Sequence, residues 1–315
     1  TDADVKFFYE ECIKASAEVI RSGKFSLYGE NPASLDEAAQ NYHKIFVEGK
    51  GISEVIFLRD YVYPGIAHNM GKWHEPNQLA VEYGGRCCPT LDLVESYAVI
   101  DPQTRMGTYD VKLVTTNDGN ENYATNGFNP NVDYKQYDDF ATIFANRDPR
   151  LYASVILPNT QWGGQTILIQ GGLRKQDKSV VWQANDSYVF DGVTYYGKGD
   201  SDEGRYSGWV DNRANGTRSG FLLKKYLKGS GDQVWDQVVT PFVDLRYAEV
   251  LLNYAEAVAE SNLPNAEGVI TAQEALNKVH HRAGFLDNLA LTSENVRREL
   301  SLIHISEPTR LQLIS

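Results

Sequence analysis

Five tryptophans and 19 tyrosines are the side chains of this 315-residue chain best suited to hold a ligand. Each offers a flat apolar face and a hydrogen-bonding edge. They stand mostly in polar, Gly- and Asn-rich sequence. Trp73-His74-Glu75 lies in a stretch punctuated by Pro64, Gly65, Gly71, Pro76, Gly84 and Gly85, with Tyr63, Asn69, Asn77 and Tyr83 close in sequence. Trp162 falls in NTQWGGQ, where Gly163 and Gly164 would let a ligand approach the backbone. Trp182 lies in VWQAND and Trp209 in YSGWVDN. For any one of these rings the plainer reading is loop packing, and Trp235, beside a long apolar segment, reads as structural.

Other chemistries find weaker support. Glycoside hydrolysis needs two carboxylates facing a scissile bond. Asp138-Asp139, Asp200, Asp202 and Glu203 are neighbours in sequence, but 42 acidic residues make such neighbours common. No G-x-S-x-G, H-E-x-x-H or Walker loop occurs. GDSDEG offers oxygen ligands in a glycine setting that suits calcium, yet it lacks the EF-hand spacing and reads first as a solvated acidic loop. The histidines (His43, His68, His74, His280, His281, His304) make no zinc pattern. Cys12, Cys87 and Cys88 include no C-x-x-C and no disulfide framework, so idle or buried thiols are expected. No cofactor or metal is called for.

Composition narrows the class. Hydrophobic residues make up 42% and charged residues 23%, a globular balance. A formal charge of −12 argues against nucleic acid and against an anionic membrane surface, both of which need Lys and Arg. No apolar run is long enough to span a bilayer.

The elements that must position these side chains are mainly helical. Residues 4–22 read as a helix stopped by Gly23, and Ser34-Leu35-Asp36-Glu37 opens another to about Val47. EVIFLRDYVY at 54–63 has strand composition, 64–88 is loop, and PTLDLVESY at 89–97 restarts a short helix. From 101 to 235 only short pieces look regular: TILIQ at 166–170, and SYVFDGVTYY at 187–196 with a turn at Asp191-Gly192. PFVDLRYAEVLLNYAEAVAE, 241–260, reads as a helix capped by Thr240 with Pro241 in its first turn. Its polar residues Arg246, Glu249, Asn253, Glu256 and Glu260 form one narrow stripe, with Arg246 and Glu249 paired at i,i+3 and the rest toward solvent or loops. A helix apolar elsewhere must be buried on several sides. Thr271-Ala272-Gln273-Glu274 is a capping box, its helix ends at Gly284, and another starts near Ser293. Long helix, short loop and shorter helix make the αα-hairpin of tetratricopeptide-like arrays.

RYAEVLLNYAEAVAE followed by ALNKVHHRAG at 275–284 strongly resembles the C-terminal region of the SusD/RagB family of nutrient-binding outer-membrane lipoproteins. SEVIF at 53–57, PTLDLVESY, RDPRLYASVI at 147–156 and LLKKY at 222–226 fall in the family's order, so the resemblance covers about residues 1–300. His280 stands where the family commonly has arginine. SLIHISEPTRLQLIS departs from the family pattern and reads as vector or adapter read-through, so 301–315 is set aside from fold reasoning. The family's first helices and lipidated cysteine would precede residue 1, making this an internal fragment.

The resemblance implies a mainly α fold: a tetratricopeptide-like hairpin scaffold, with hairpins at 240–300 and a loop-rich, ligand-binding insert with short strands at 101–235. It implies a non-enzymatic cell-surface protein that captures glycans, or sometimes peptides, for a TonB-dependent SusC-like transporter. Contact with the membrane would be only through the lipid anchor. Glycans need aromatic faces for their C–H surfaces and polar side chains for their hydroxyls. Trp73, His74, Asn77, Tyr83, Trp162, Trp182 and Trp209 are the expected contacts, with Trp73 and Trp162 sharing one platform. Were the resemblance false, a helical-repeat adaptor would be the alternative, against which the aromatic insert speaks.

Overall fold

The computed structural model describes residues 1–80, 83–119, 131–181, 187–197, 207–208, 216–229 and 236–304. Trp182, Trp209, Trp235, the loop of Asp200, Asp202 and Glu203, and the tail from 305 on lie outside the described residues. Eight α-helices stand among the described residues: α1 (Asp2–Ser22), α2 (Leu35–Glu48), α3 (Met70–His74), α4 (Leu91–Ser96), α5 (Pro149–Ser154), α6 (Tyr247–Ser261), α7 (Ala272–Arg282) and α8 (Ser293–His304). None is long and apolar enough to cross a membrane.

The start and stop residues act as their chemistry predicts. Ser34 caps α2, Thr271 and Glu274 close a capping box on α7, and Gly23 ends α1 at φ 61°. A second capping box, Thr1 with Asp4, opens α1 at Asp2, two residues before the expected start. The segment 64–88, expected as loop throughout, contains α3.

The strands pair two by two, all antiparallel. They are β1 (Val55–Arg59), β2 (Val99–Ile100), β3 (Gly107–Thr108), β4 (Val155–Ile156), β5 (Gln161–Trp162), β6 (Gln165–Thr166), β7 (Leu173–Arg174), β8 (Val180–Val181), β9 (Ser187–Phe190), β10 (Val193–Tyr196), β11 (Leu222–Leu223) and β12 (Phe242–Arg246). β9 and β10 form the expected hairpin, with Asp191 (φ 48°) and Gly192 (φ 75°) in the left-handed pair such a turn requires. TILIQ contributes only Thr166 to a ladder, and Ile167 and Ile169 pack into a small core with Ile156 and Leu222.

One correction bears on the whole molecule. The expected helix over 241–260 begins at Tyr247, because Phe242–Arg246 is a strand paired with β1. Thr240 is therefore no helix cap; its carbonyl takes a hydrogen bond from His68 Nε2 at 2.9 Å. The β1 edge supplies backbone partners that outweigh helix propensity at these β-branched and aromatic positions. The register sets Arg246 opposite Val55, beside Glu54. Arg246 thus leaves the polar stripe and is buried. The shortened α6 is covered by α1, α7 and α8, which answers its nearly all-apolar circumference. Glu260, the last member of the stripe, pairs with Arg297 of α8.

Buried ion pairs lock these elements together. Glu54 accepts from Arg246 Nη1 at 2.7 Å, from Arg282 Nη1 at 2.8 Å, and from the Tyr28 backbone N–H at 3.0 Å. Tyr42 and Phe46 of α2 lay their rings against these cations, with the Arg282 guanidinium 5.2 Å from the Tyr42 centroid and that of Arg246 5.1 Å from the Phe46 centroid. In a second group Asp148 caps α5 and grips Arg150 with both oxygens, at 3.0 and 2.6 Å. Arg150 also donates to Glu299 of α8 at 2.6 Å. His280 completes this group, its ring nitrogens 3.3 Å from Glu299 and 3.2 Å from Asp287 and its face stacked on Phe285. The family-resembling RDPRLY segment is thereby tied to α7 and α8. Ser301 to His304, the start of the tail set aside above, continue α8, and Leu302 is buried with Val94, Tyr97 and Leu151.

Burial pushes the Glu54 carboxyl up, but Arg282 and Arg246 together pull it below the ordinary 4.5; Arg150 and His280 do the same to Glu299. A depressed native pKa contributes stability that is complete above the unfolded value and is lost as pH falls through the native one. Urea-unfolding stability should therefore decline as pH drops below about 4.5. Glu54→Gln, which leaves two buried guanidinium groups short of a charge, should cost about 3–5 kcal/mol at pH 7 and shrink that acid dependence.

Candidate ligand-binding site

Three stretches remote in sequence meet around the first tryptophan loop. α3 carries Trp73 and His74, and the chain beyond it doubles back: Gly85 N–H donates to the Glu75 carbonyl at 2.9 Å and Arg86 N–H to the Trp73 carbonyl at 3.0 Å. This return needs glycines at its turn. A Cβ on Gly84 would lie 2.6 Å from the Glu75 carbonyl oxygen, and Gly84 has φ 139°. The result places Tyr83 and Arg86 on Trp73. The Trp73 and Tyr83 rings stack with centroids 4.6 Å apart, and the Arg86 guanidinium lies 4.8 Å from the Trp73 centroid and 5.1 Å from that of Tyr83. Lys72 Nζ stands 5.2 Å from the Tyr83 ring.

Trp162, on β5, joins this loop through Glu75. Its indole N–H donates to the buried Glu75 carboxylate at 2.9 Å. Lys224 Nζ lies 5.3 Å from its ring, and His43 of α2 meets it edge-on at 5.8 Å. Gly163 does not open the backbone to a ligand as expected: a Cβ there would lie 2.6 Å from Leu79 and 2.7 Å from the Gly229 carbonyl oxygen, so the chain itself fills that space. Gly164 has nothing within 4 Å of such a Cβ. Gln78 pins the loop to the β6 segment, donating to the Thr166 carbonyl at 3.0 Å and accepting from Leu168 N–H at 2.6 Å.

The structure thus brings Trp73, His74, Asn77, Tyr83 and Trp162 to one region held on α2 and the β5–β6 hairpin. Sequence reasoning missed Arg86, Glu75, Lys224 and His43. The Gly84-Gly85-Arg86 run hinted at a tight return that would aim Arg86 somewhere definite, but nothing in sequence connects Glu75 with Trp162. Both histidines are half-buried in this region. Burial, aided at His43 by the Lys224 charge, lowers the pKa of each to about 4. His43 Nε2 donates to the Leu227 carbonyl at 3.0 Å, while His74 Nδ1 is buried without a hydrogen-bond partner among the described residues.

A sequence model of the SusD family matches residues 53–302, most of the chain, and the chain belongs to that family. Among curated proteins none matches. Solved structures share the fold: a SusD-like protein from Bacteroides fragilis, 22% identical, with TM-score 0.57 over 95% of this chain and 49% of that one. A SusD-like carbohydrate binding protein from the same species is 18% identical, with TM-score 0.63 over 98% of this chain and 48% of that one. The chain therefore spans about half the length of each of these structures. The tetratricopeptide-like, mainly helical scaffold with short strands is the fold of this family.

Because unfolded histidine takes a proton near pH 6.5 and these two do not until about pH 4, folding stability should fall as pH drops from 6.5 to 4. Urea midpoints across that window should show the decline, and His74→Gln should remove part of it. An unchanged profile in the variant would mean His74 titrates normally.

Proposed function

We propose that this chain is the capturing part of a cell-surface glycan-binding protein that hands oligosaccharides to a TonB-dependent SusC-like transporter. It binds and does not cleave. It is held at the outer membrane by a lipid anchor, as the resemblance implies for the family. Membership in the SusD family over residues 53–302 is the observation that carries this reading. The carbohydrate-binding description of the B. fragilis protein of the same fold agrees with it. Local chemistry supports it as well. Aromatic rings at Trp73, Tyr83 and Trp162 stand among amide, carboxylate and cationic side chains, the mixture that sugar faces and hydroxyls require. Asp138 and Asp139, the adjacent carboxylates weighed for hydrolysis, both lie exposed on the surface.

Affinity electrophoresis in gels cast with neutral and acidic polysaccharides tests the reading. The chain should be retarded on at least one of them, without release of reducing sugar. Trp73→Ala should weaken that retention by roughly tenfold or more, the value of a lost aromatic anchor, while leaving the circular-dichroism spectrum intact. Trp162→Ala should weaken it too, with a lower melting temperature because Glu75 loses its buried donor. Retention on no polysaccharide, with capture of peptides, would transfer the site to peptide ligands.

A further inference from the structure

Arg86 is exposed, yet it is not an idle surface arginine. Its backbone is fixed to that of Trp73, and its guanidinium rests against two aromatic rings that are themselves stacked. Such stacking restrains the planar group while leaving its N–H edge available. Among the described residues no carboxylate or carbonyl is hydrogen-bonded to that edge. Glu75, a carboxylate of the same loop, is buried and receives the Trp162 indole N–H. The backbone of a second arginine lies close by. The segment 216–218 runs against 85–88, with Gly216 within 3.1 Å of a Cβ built on Gly85 and the Arg218 N–H 3.5 Å from Cys88 Sγ. Arg218 is exposed too. A chain of formal charge −12 thus presents, at its aromatic cluster, an exposed arginine with no ion pair among the described residues, and a second exposed arginine, Arg218, in the adjoining segment.

We propose that Arg86, seated on Trp73 and Tyr83, recognises the carboxylate of a hexuronic acid, so that the glycan taken at this site is an acidic one. The proposal rests on the glycan-capture reading above and names its substrate class. A planar carboxylate matches the guanidinium fork by two parallel hydrogen bonds. The protein's overall negative charge opposes a polyanion only at long range. At about 0.15 M salt the screening length is roughly 8 Å, so a direct arginine–carboxylate pair survives while the distant repulsion is damped.

The test is binding of the chain, in about 0.15 M salt, to polygalacturonate, alginate and hyaluronan, each compared with its carboxyl-reduced form. At least one acidic polymer should be retained and its reduced form should not. Arg86→Ala should weaken retention by roughly tenfold to a hundredfold, the worth of a charge-assisted hydrogen-bonded contact. Arg86→Lys, which keeps the charge but loses the fork, should recover only part of it. Equal retention of acidic and reduced polymers, or undiminished binding by a folded Arg86→Ala chain, overturns the proposal. Binding to neutral glycans alone also overturns it but leaves the glycan-capture reading standing. Binding to no glycan removes both.

Discussion

A single buried carboxylate, Glu54, holds the architecture at its centre. It receives Arg246 from the end of β12, Arg282 from the end of α7 and the backbone of Tyr28 from the segment before α2. Three parts of the chain converge on one side chain that water cannot reach. Taking a carboxylate and two guanidinium groups out of water is costly, and such a cluster persists only where geometry and further hydrogen bonds compensate. The aromatic faces of Tyr42 and Phe46 provide part of that compensation. The consequence is specificity of arrangement. Arg246 can reach Glu54 only if Phe242–Arg246 is a strand in register with β1, and Arg282 only if α7 ends where it does.

The second ionic group extends the same logic to the insert. Asp148 and Arg150, at the start of α5, are joined to α8 through Glu299 and to α7 through His280. A region of very short strands has little ladder bonding of its own, so it borrows rigidity from the helices through these charges and through α2, which packs on α5. The ligand-binding candidates inherit that support. Trp162 leans on His43 of α2 and on Lys224, and Lys224 in turn donates to the Tyr152 carbonyl of α5 at 2.7 Å. A loop positioned in this way can present aromatic rings and a guanidinium in a fixed geometry, which is what selective binding demands.

Much of the scaffold was legible because its signals are local. Thr271 and Glu274, Ser34, Gly23 and Asp191-Gly192 each act within a few residues of themselves, and each does in space what its type and position announce. The family resemblance drew on the same kind of pattern in 246–260 and 275–284, and it predicted the helical class correctly. The site was legible only in part. Trp73 and Tyr83 are neighbours through one loop, so nearness in sequence carried over into a stack. Glu75 with Trp162, and Gly85 and Cys88 with the segment 216–218, are joined across long separations that no spacing rule reaches.

The sequence by itself determined most of the helical scaffold, the caps of α2 and α7, the hairpin turn at Asp191-Gly192, its family membership and the aromatic wealth of its loops. Tertiary structure alone decided that PFVDLR is a strand, that Arg246 is a buried ion-pair partner, that Gly163 accommodates the chain rather than a ligand, and which tryptophans share a region. The division has a physical cause. Caps, turns and helical periodicity are satisfied by backbone groups a few residues away. A strand edge, a buried charge and a close glycine contact are satisfied only by partners that folding brings from far along the chain.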